Sequence, residues 1–383
     1  MSRNSSFALL GFIPGAIFIT ISIVCTSICA DATELIESKH HNFQIENYAK
    51  IPGIPWGLSF LPDGRLLVTE REGRLRIIDL NGSVSDPING IPEVIAKGQG
   101  GLLDVAIHPE YEKNGWVYLS YSQALSDETS FTSIARGKII NEQFHNIQII
   151  YRAPKKDFSK HSQHYGSRII FDKSNYLYFS IGDRGQRPEA QDLNTANGKI
   201  HRLFDDGKIP PTNPFQGQDN ILHSIWSWGH RNAQGLALDP ITGNLWSTEH
   251  GPRGGDELNL IQRGGNFGWP SITYGINYDG SIISENTHED GMLQPIHYWV
   301  PSIGVCGIDF YDNTRFPDWE NNLLISSLRF GRLYRLKIKD GRVMEEEILL
   351  EIGRTRDVET GPDGLIYVAL ENPGRIVRLL PAK

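Results

Sequence analysis

The chain has 383 residues, 37 Lys and Arg against 45 Asp and Glu, a formal net charge of -8 and 39% hydrophobic residues. Those figures describe a soluble globular protein, long enough for one large all-β domain or two ordinary ones. They argue against a nucleic-acid backbone as partner, while leaving room for a local basic pocket.

Arg3 is the only charge among the first thirty residues, and an apolar run from Phe7 to Ala30 follows it. The pattern predicts a secretory signal peptide over residues 1–30, cleaved near Ala30 or Ala32, and hence an exported protein, periplasmic or secreted. An uncleaved membrane anchor is the alternative, because the run is long enough to span a bilayer. Two of the three cysteines, Cys25 and Cys29, fall in this segment. Only Cys306 remains in the mature chain, which excludes an intramolecular disulfide. Its neighbours Val305 and Gly307 suit a small buried residue better than a nucleophile.

After a short tail at residues 31–44, the pattern from 45 to the end is all-β. Short apolar or alternating runs recur between Gly, Pro, Asn and Asp. One degenerate unit returns six times: Leu58-Ser59-Phe60-Leu61-Pro62-Asp63-Gly64, Val105-Ala106-Ile107-His108-Pro109, Ile169-Ile170-Phe171-Asp172, Leu236-Ala237-Leu238-Asp239-Pro240, Gly307-Ile308-Asp309-Phe310 and Val358-Glu359-Thr360-Gly361-Pro362-Asp363-Gly364. Copies roughly 45 to 70 residues apart, each with several strands, predict the blades of a six-bladed β-propeller. Two packed sandwiches are the alternative. No linker rich in Pro or Ser divides the chain.

Loops at one end of a propeller converge on its axis. Gln99, His164, Arg231, Asn232, Gln234, Arg354 and Arg356 all lie just before a copy, and Arg329 follows the fifth. Singly, each arginine reads as a surface ion-pair partner. Together they predict a cationic pocket in an acidic protein, suited to a multiply anionic ligand. No P-loop, dinucleotide fingerprint, Cys/His zinc spacing or Gly-x-Ser-x-Gly elbow offers a competing chemistry. Asp256 and Glu257, in a Gly-rich loop after Gly251-Pro252, present the oxygen-rich surroundings that Ca²⁺ takes, or else cap a turn.

Three stretches carry a resemblance: Gly229-His230-Arg231-Asn232-Ala233-Gln234-Gly235, Glu249-His250-Gly251-Pro252 with Asp256-Glu257, and Gly264-Gly265-Asn266-Phe267-Gly268-Trp269-Pro270. Gly98-Gln99-Gly100-Gly101 and Ile181-Gly182-Asp183-Arg184-Gly185 add to it. On these residues the chain resembles the soluble sugar dehydrogenases dependent on pyrroloquinoline quinone (PQQ), the glucose/sorbosone dehydrogenase family, and within it the aldose sugar dehydrogenase branch.

The resemblance implies a six-bladed propeller, PQQ and Ca²⁺ as cofactors, an aldose substrate oxidised at C1 to the lactone, and an external electron acceptor. It implies His164 as general base, with Arg231 stabilising developing negative charge. It assigns Gln99, Arg231, Asn232, Tyr278, Arg329, Arg354 and Arg356 to the quinone. The carbonyls of Gly251 and Pro252 would bind the Ca²⁺ that meets it, and Glu257 with the Phe267 carbonyl a further Ca²⁺. Gln163 stands where the glucose dehydrogenases have an acid, and residues 187–198 are shorter than in those enzymes, which separates this chain from strict glucose specificity. A calcium-dependent lactonase and a non-catalytic binding propeller are the alternatives. A lactonase would want acidic and amide ligands at the axis, and a binding module would need no His164 among arginines.

Overall fold

The computed structural model describes residues 35–124 and 129–382. The apolar N-terminal segment and its expected cleavage point lie outside them. Among the described residues no helix is long and apolar enough to cross a membrane.

The described chain forms six antiparallel sheets, five of them built from consecutive strands. The first strands of the six are Pro55–Phe60, Leu102–Ile107, Ile169–Phe171, Ala233–Leu238, Val305–Phe310 and Thr355–Thr360. They carry the six sequence copies, and each packs against the first strand of the next sheet until the last meets the first. That closed ring is a six-bladed propeller, not a pair of sandwiches. Blade 1 has three strands and blades 2 to 5 have four. Blade 6 closes the ring with material from both ends of the chain: Phe43–Lys50 pairs with Arg375–Pro381 in register from Phe43↔Pro381 to Lys50↔Arg375, and Leu35–Ile36 adds outside it. Closure of this kind leaves no gap between the first and last blades, and Phe43, fully buried, joins the core of blades 5 and 6 with Trp319, Leu350 and Val377.

Among the described residues helix is confined to one α-helical turn at Tyr111–Asn114 and three short 3-10 turns. The sequence has the reason: its apolar residues alternate at strand period between turn residues, so apolar side chains fill the layers between blades. The strand Leu66–Glu70 is buried along its whole length, as is Leu245–Glu249, because both faces of a second strand meet a neighbouring blade.

Each first strand starts at one face of the ring, here the mouth, and the second strand ends there. In five of the six blades the pairing of these two strands slips near the mouth, between Pro55 and Leu58, Leu102 and Val105, Ala233 and Gly235, Val305 and Ile308, and Thr355 and Asp357. A bulge puts extra residues opposite one partner and re-aims their side chains. Here it sends neighbouring residues to different places. Trp56, Leu103, Gln234 and Arg356 line a cavity at the mouth, while Asp104, Gly307 and Asp357 line a second one below it on the axis.

Candidate active site

The mouth cavity measures about 400 Å³ and is walled by Trp56, Arg71, Gln99, Tyr165, His250, Arg329, Arg354 and Arg356, among others. That is the size of a small-molecule site. Of the residues predicted from sequence, Gln99, Arg354 and Arg356 reach this wall from the start of first strands or the loops before them, and Arg329 reaches it from just beyond a second strand. His164 and Arg231 stand at its border through their bonds to Gln99 and His250. The axial cavity beneath, about 350 Å³, is lined by Asp104, Asp309, Asp357 and Glu359 around Arg168.

His164 borders the mouth between the lining residues Gln99 and Gly166. Its backbone is left-handed, φ 55°, unusual outside glycine. The neighbours hold it there. Gln99 Oε1 accepts the His164 N–H at 2.7 Å, and Asn232 Oδ1 accepts the Gly166 N–H at 3.0 Å. Gly182 must lack a side chain, since a Cβ would sit 2.3 Å from the His164 carbonyl oxygen. The imidazole Nδ1 lies 2.6 Å from Asp183 Oδ1, and Trp269 Nε1 donates to the other carboxylate oxygen at 2.8 Å. Asp183 is held below the usual carboxylate range: burial pushes it up, but the hydrogen bond and charge of His164 and the charge of Arg231 outweigh that. An ionised Asp183 accepts from Nδ1–H and leaves the Nε2 lone pair free. Burial, with the charges of Arg231 and Arg184, lowers the His164 pKa below its ordinary 6.5 despite Asp183. The dyad is therefore a neutral imidazole oriented by a carboxylate.

The cations divide into free and committed ones. Arg231 is 6% exposed, donates Nη1 to the His250 carbonyl at 3.0 Å and makes no ion pair among the described residues. Its backbone N–H is taken by Glu249, whose other oxygen holds His230 Nδ1 at 2.8 Å. Arg329 is exposed, bonded through Nη1 to the Ser302 carbonyl, and likewise free of acids. Arg356 is committed: Glu371 takes its Nε and Nη2 groups, and Gln234 and Cys306 take Nη1. Arg354 shares Glu371 but keeps its side chain 47% exposed.

Two further assigned residues are also not part of the wall. Tyr278 is 75% exposed on the long connection within blade 4 and is not part of the cavity wall. Asn232 is spent on the loop of His164, through Gly166. Sequence reasoning missed Arg71, which lines the cavity and makes no ion pair among the described residues; between Glu70 and Glu72 it has the sequence context of an ordinary surface charge. It also missed Glu371 and the role of Asp183. Their signal is a repeated one. Asp183, Glu249 and Glu371 each stand at or just beyond the mouth end of a second strand and each fixes a polar residue of the preceding loop.

The acids of the Gly251 loop also part company. Asp256 is not a free ligand, since its carboxylate accepts the N–H groups of Gly251, Gly304 and Val305. It ties the turn that carries Gly251 and Pro252, and the Pro252 carbonyl takes a hydrogen bond from Ser302 at 3.2 Å. Among the described residues no three His, Cys, Asp or Glu side chains form a metal cluster. A cation here would rest on carbonyl and amide oxygens. Such oxygens are present. Glu257 pairs across the sheet with Glu249, and burial together with the charges of Glu249 and Asp256 pushes its carboxyl well up. Asn259 donates to Glu257 at 3.2 Å, and its own Oδ1 is buried without a partner among the described residues. Phe267 lies close by, stacked on His230 at 4.7 Å. A surplus of acceptors and an orphaned amide oxygen fit a hard cation.

The pattern of the glucose/sorbosone dehydrogenase family matches residues 53–378. The aldose sugar dehydrogenase YliI of Escherichia coli is 40% identical over 335 residues, covering 85% of this chain and 90% of that protein. The crystal structure of the soluble aldose sugar dehydrogenase from Escherichia coli in its apo form superposes with a TM-score of 0.85 at 37% identity, over 89% of this chain and 100% of that one. The PQQ-bound form of the aldose sugar dehydrogenase from Streptomyces coelicolor gives a TM-score of 0.74 at 28% identity, over 89% and 98%.

Proposed function

The chain belongs to the glucose/sorbosone dehydrogenase family, and from that premise we propose that its mouth is the site of an aldose sugar dehydrogenase using PQQ. It is an oxidoreductase acting on a sugar CH–OH group, and takes the C1 hydroxyl of an aldose to the lactone. One observation carries the assignment to this site. A neutral histidine oriented by a carboxylate sits beside a cavity whose arginines are partly unpaired. That pairs a base with an anion receptor.

The donor set fits the quinone. Its carboxylates suit Arg329, Arg354 and Arg71, which line the cavity, and Gln99 adds an amide. Bound there, PQQ supplies the two-electron acceptor for the C1 hydride. His164 Nε2 takes the proton of the C1 hydroxyl, and Asp183 stabilises the imidazolium that forms. Arg231, buried and without a counter-carboxylate, stabilises negative charge that appears near it during the reaction. Such help raises turnover more than binding.

Calcium belongs to the same proposal. Glu257, the Phe267 carbonyl and the orphaned Asn259 oxygen would hold one ion, and the carbonyls of Gly251 and Pro252 another at the cavity edge. Export is also proposed, on Arg3 and the apolar run after it. The deciding experiment adds PQQ and Ca²⁺ to purified apoprotein and follows dye reduction by an aldose. Reduction that needs all three components supports the reading. Lactone hydrolysis without dye reduction, or no turnover at all, would replace it with a lactonase or a binding module.

A further inference from the structure

Arg184 is fully buried, yet no carboxylate pairs with it among the described residues. Buried arginines are ordinarily neutralised by an acid, because an unpaired charge is costly to desolvate. This one is spent on backbone. Nε donates to the Gln163 carbonyl at 2.9 Å and Nη2 to the His161 carbonyl at 2.5 Å, both in the loop that carries His164. Nη1 and Nη2 reach the Ser130 carbonyl and hydroxyl at 3.1 and 3.2 Å, anchoring the same guanidinium to blade 2. The guanidinium lies 3.6 Å from the ring centre of Tyr165, whose hydroxyl meets Ser130 at 2.7 Å. One planar fork thus grips the residues on both sides of the base, in a stretch where His164 and Ser167 both hold positive φ. Arg184 follows Asp183 directly, so the clamp and the carboxylate that orients the imidazole share one turn.

We propose that Arg184 is a positioning residue for His164: its guanidinium clamps the loop so that the imidazole meets Asp183 with Nε2 turned to the substrate. The inference rests on His164 being the base. A lysine could supply the charge, but only an arginine fork spans three carbonyls at once. The charge itself has a second consequence. Burial pulls Arg184 to about 10, still protonated at neutral pH. The charged and titratable groups around His164 are Asp183, Arg231, Arg184 and His250. Of these, Arg184 and Arg231 disfavour the imidazolium and Asp183 favours it.

The test uses the full chain with Arg184→Met and Arg184→Lys. Quinone reduction by an aldose is followed in single turnovers across pH with PQQ and Ca²⁺ loaded. Separately, the His164 ring protons are titrated by NMR in protein without quinone, assigned through His164→Gln. In Arg184→Met, kcat should fall on the order of 10²-fold, the usual result of misplacing a catalytic group, with the aldose KM almost unchanged. The acid limb of the rate and the ring titration should both move to higher pH. Arg184→Lys should keep the titration and recover only part of kcat. Parental kcat and titration in Arg184→Met would overturn the proposal even if the melting temperature fell, since Arg184 would then be a packing residue. If Arg184→Met fails to fold, parental kcat in Arg184→Lys overturns it. A ring titration that moves without the acid limb upholds the hold of Arg184 on the imidazole and removes His164 as base.

Discussion

Arg356 closes on Oε1 of Glu371 through Nε at 2.8 Å and Nη2 at 2.5 Å, while Arg354 reaches Oε2 of the same carboxylate at 2.7 Å. The two arginines look alike in sequence and differ in what they have left to give. Arg356 and Glu371 are both buried, and breaking a buried pair costs about 3–5 kcal/mol. Arg356→Ala and Glu371→Gln should therefore lower the melting temperature of the apoprotein. Arg354→Ala should leave it near parental and raise the PQQ concentration for half-maximal reconstitution. Equal effects of Arg354→Ala and Arg356→Ala on both measurements would contradict this division.

The same carboxylate gives a pH window. Burial pushes Glu371 up, but Arg356 and Arg354 pull it down to about 2, against ~4.3 for an unfolded glutamate. A lowered folded pKa means that the unfolded chain takes the proton first. The stability it contributes is complete above ~4.3 and is lost as pH falls toward 2. Chemical denaturation of the apoprotein between pH 5 and pH 2 should show a steeper loss in the parent than in Glu371→Gln.

Much of the fold was legible because the first strands repeat an apolar run followed by a turn, and those six runs are the inner ring. The closure was not. Phe43–Lys50 belongs to blade 6, and no local pattern shows that it pairs with a strand more than 300 residues away. The bulges were hidden as well. Trp56 and Leu103 read as core residues, and only the slip in pairing turns them to the mouth. Site residues were visible when they stood in polar loops, as His164, Arg231 and Arg329 do. Glu371 was missed because Leu370-Glu371-Asn372 reads as a strand ending in a turn. Asp256 was overvalued because sequence shows a carboxylate but not the three N–H groups it serves.

Export can be checked without any activity. Arg3 and the apolar run to Ala30 lead to a mature N-terminus close to Asp31 or Thr33. N-terminal sequencing of the exported protein should find it there. Material that begins at Met1 and stays with the membrane would instead mark the run as an anchor.

Calcium should be visible in stability. If Glu257 and the unpartnered Asn259 oxygen hold an ion, Ca²⁺ binds the folded chain only, and stability rises by RT ln(1 + [L]/Kd), about 2.7 kcal/mol at a hundredfold excess over Kd. A thermal melt of the apoprotein across a Ca²⁺ titration should climb in the parent and climb less in Glu257→Gln. Magnesium should substitute poorly, since it demands a smaller octahedral shell. Identical flat titrations in parent and variant would leave no structural ion at Glu257.

His164 carries the sharpest prediction. His164→Gln keeps a polar side chain of similar size beside Asp183 and should bind quinone nearly as the parent does. Turnover should fall by about 10²–10⁴, the usual contribution of a general base. The pH profile follows from the ring's surroundings. Burial and the charges of Arg231 and Arg184 put the imidazole below its ordinary 6.5. More of the neutral base is then present at a given acidic pH than for a free imidazole, so the midpoint of the parent's acid limb should lie below pH 6.5. Stability follows the same sign. The unfolded chain binds the proton more readily, so this histidine favours unfolding progressively as pH drops beneath ~6.5. Single-turnover quinone reduction by an aldose, followed optically in parent and variant from pH 4.5 to 8.5, reads both the drop and the limb. An acid limb with its midpoint above pH 6.5 would mean that the imidazolium is favoured in this site. Equal rates in the two proteins at every pH would take the proton away from His164 altogether.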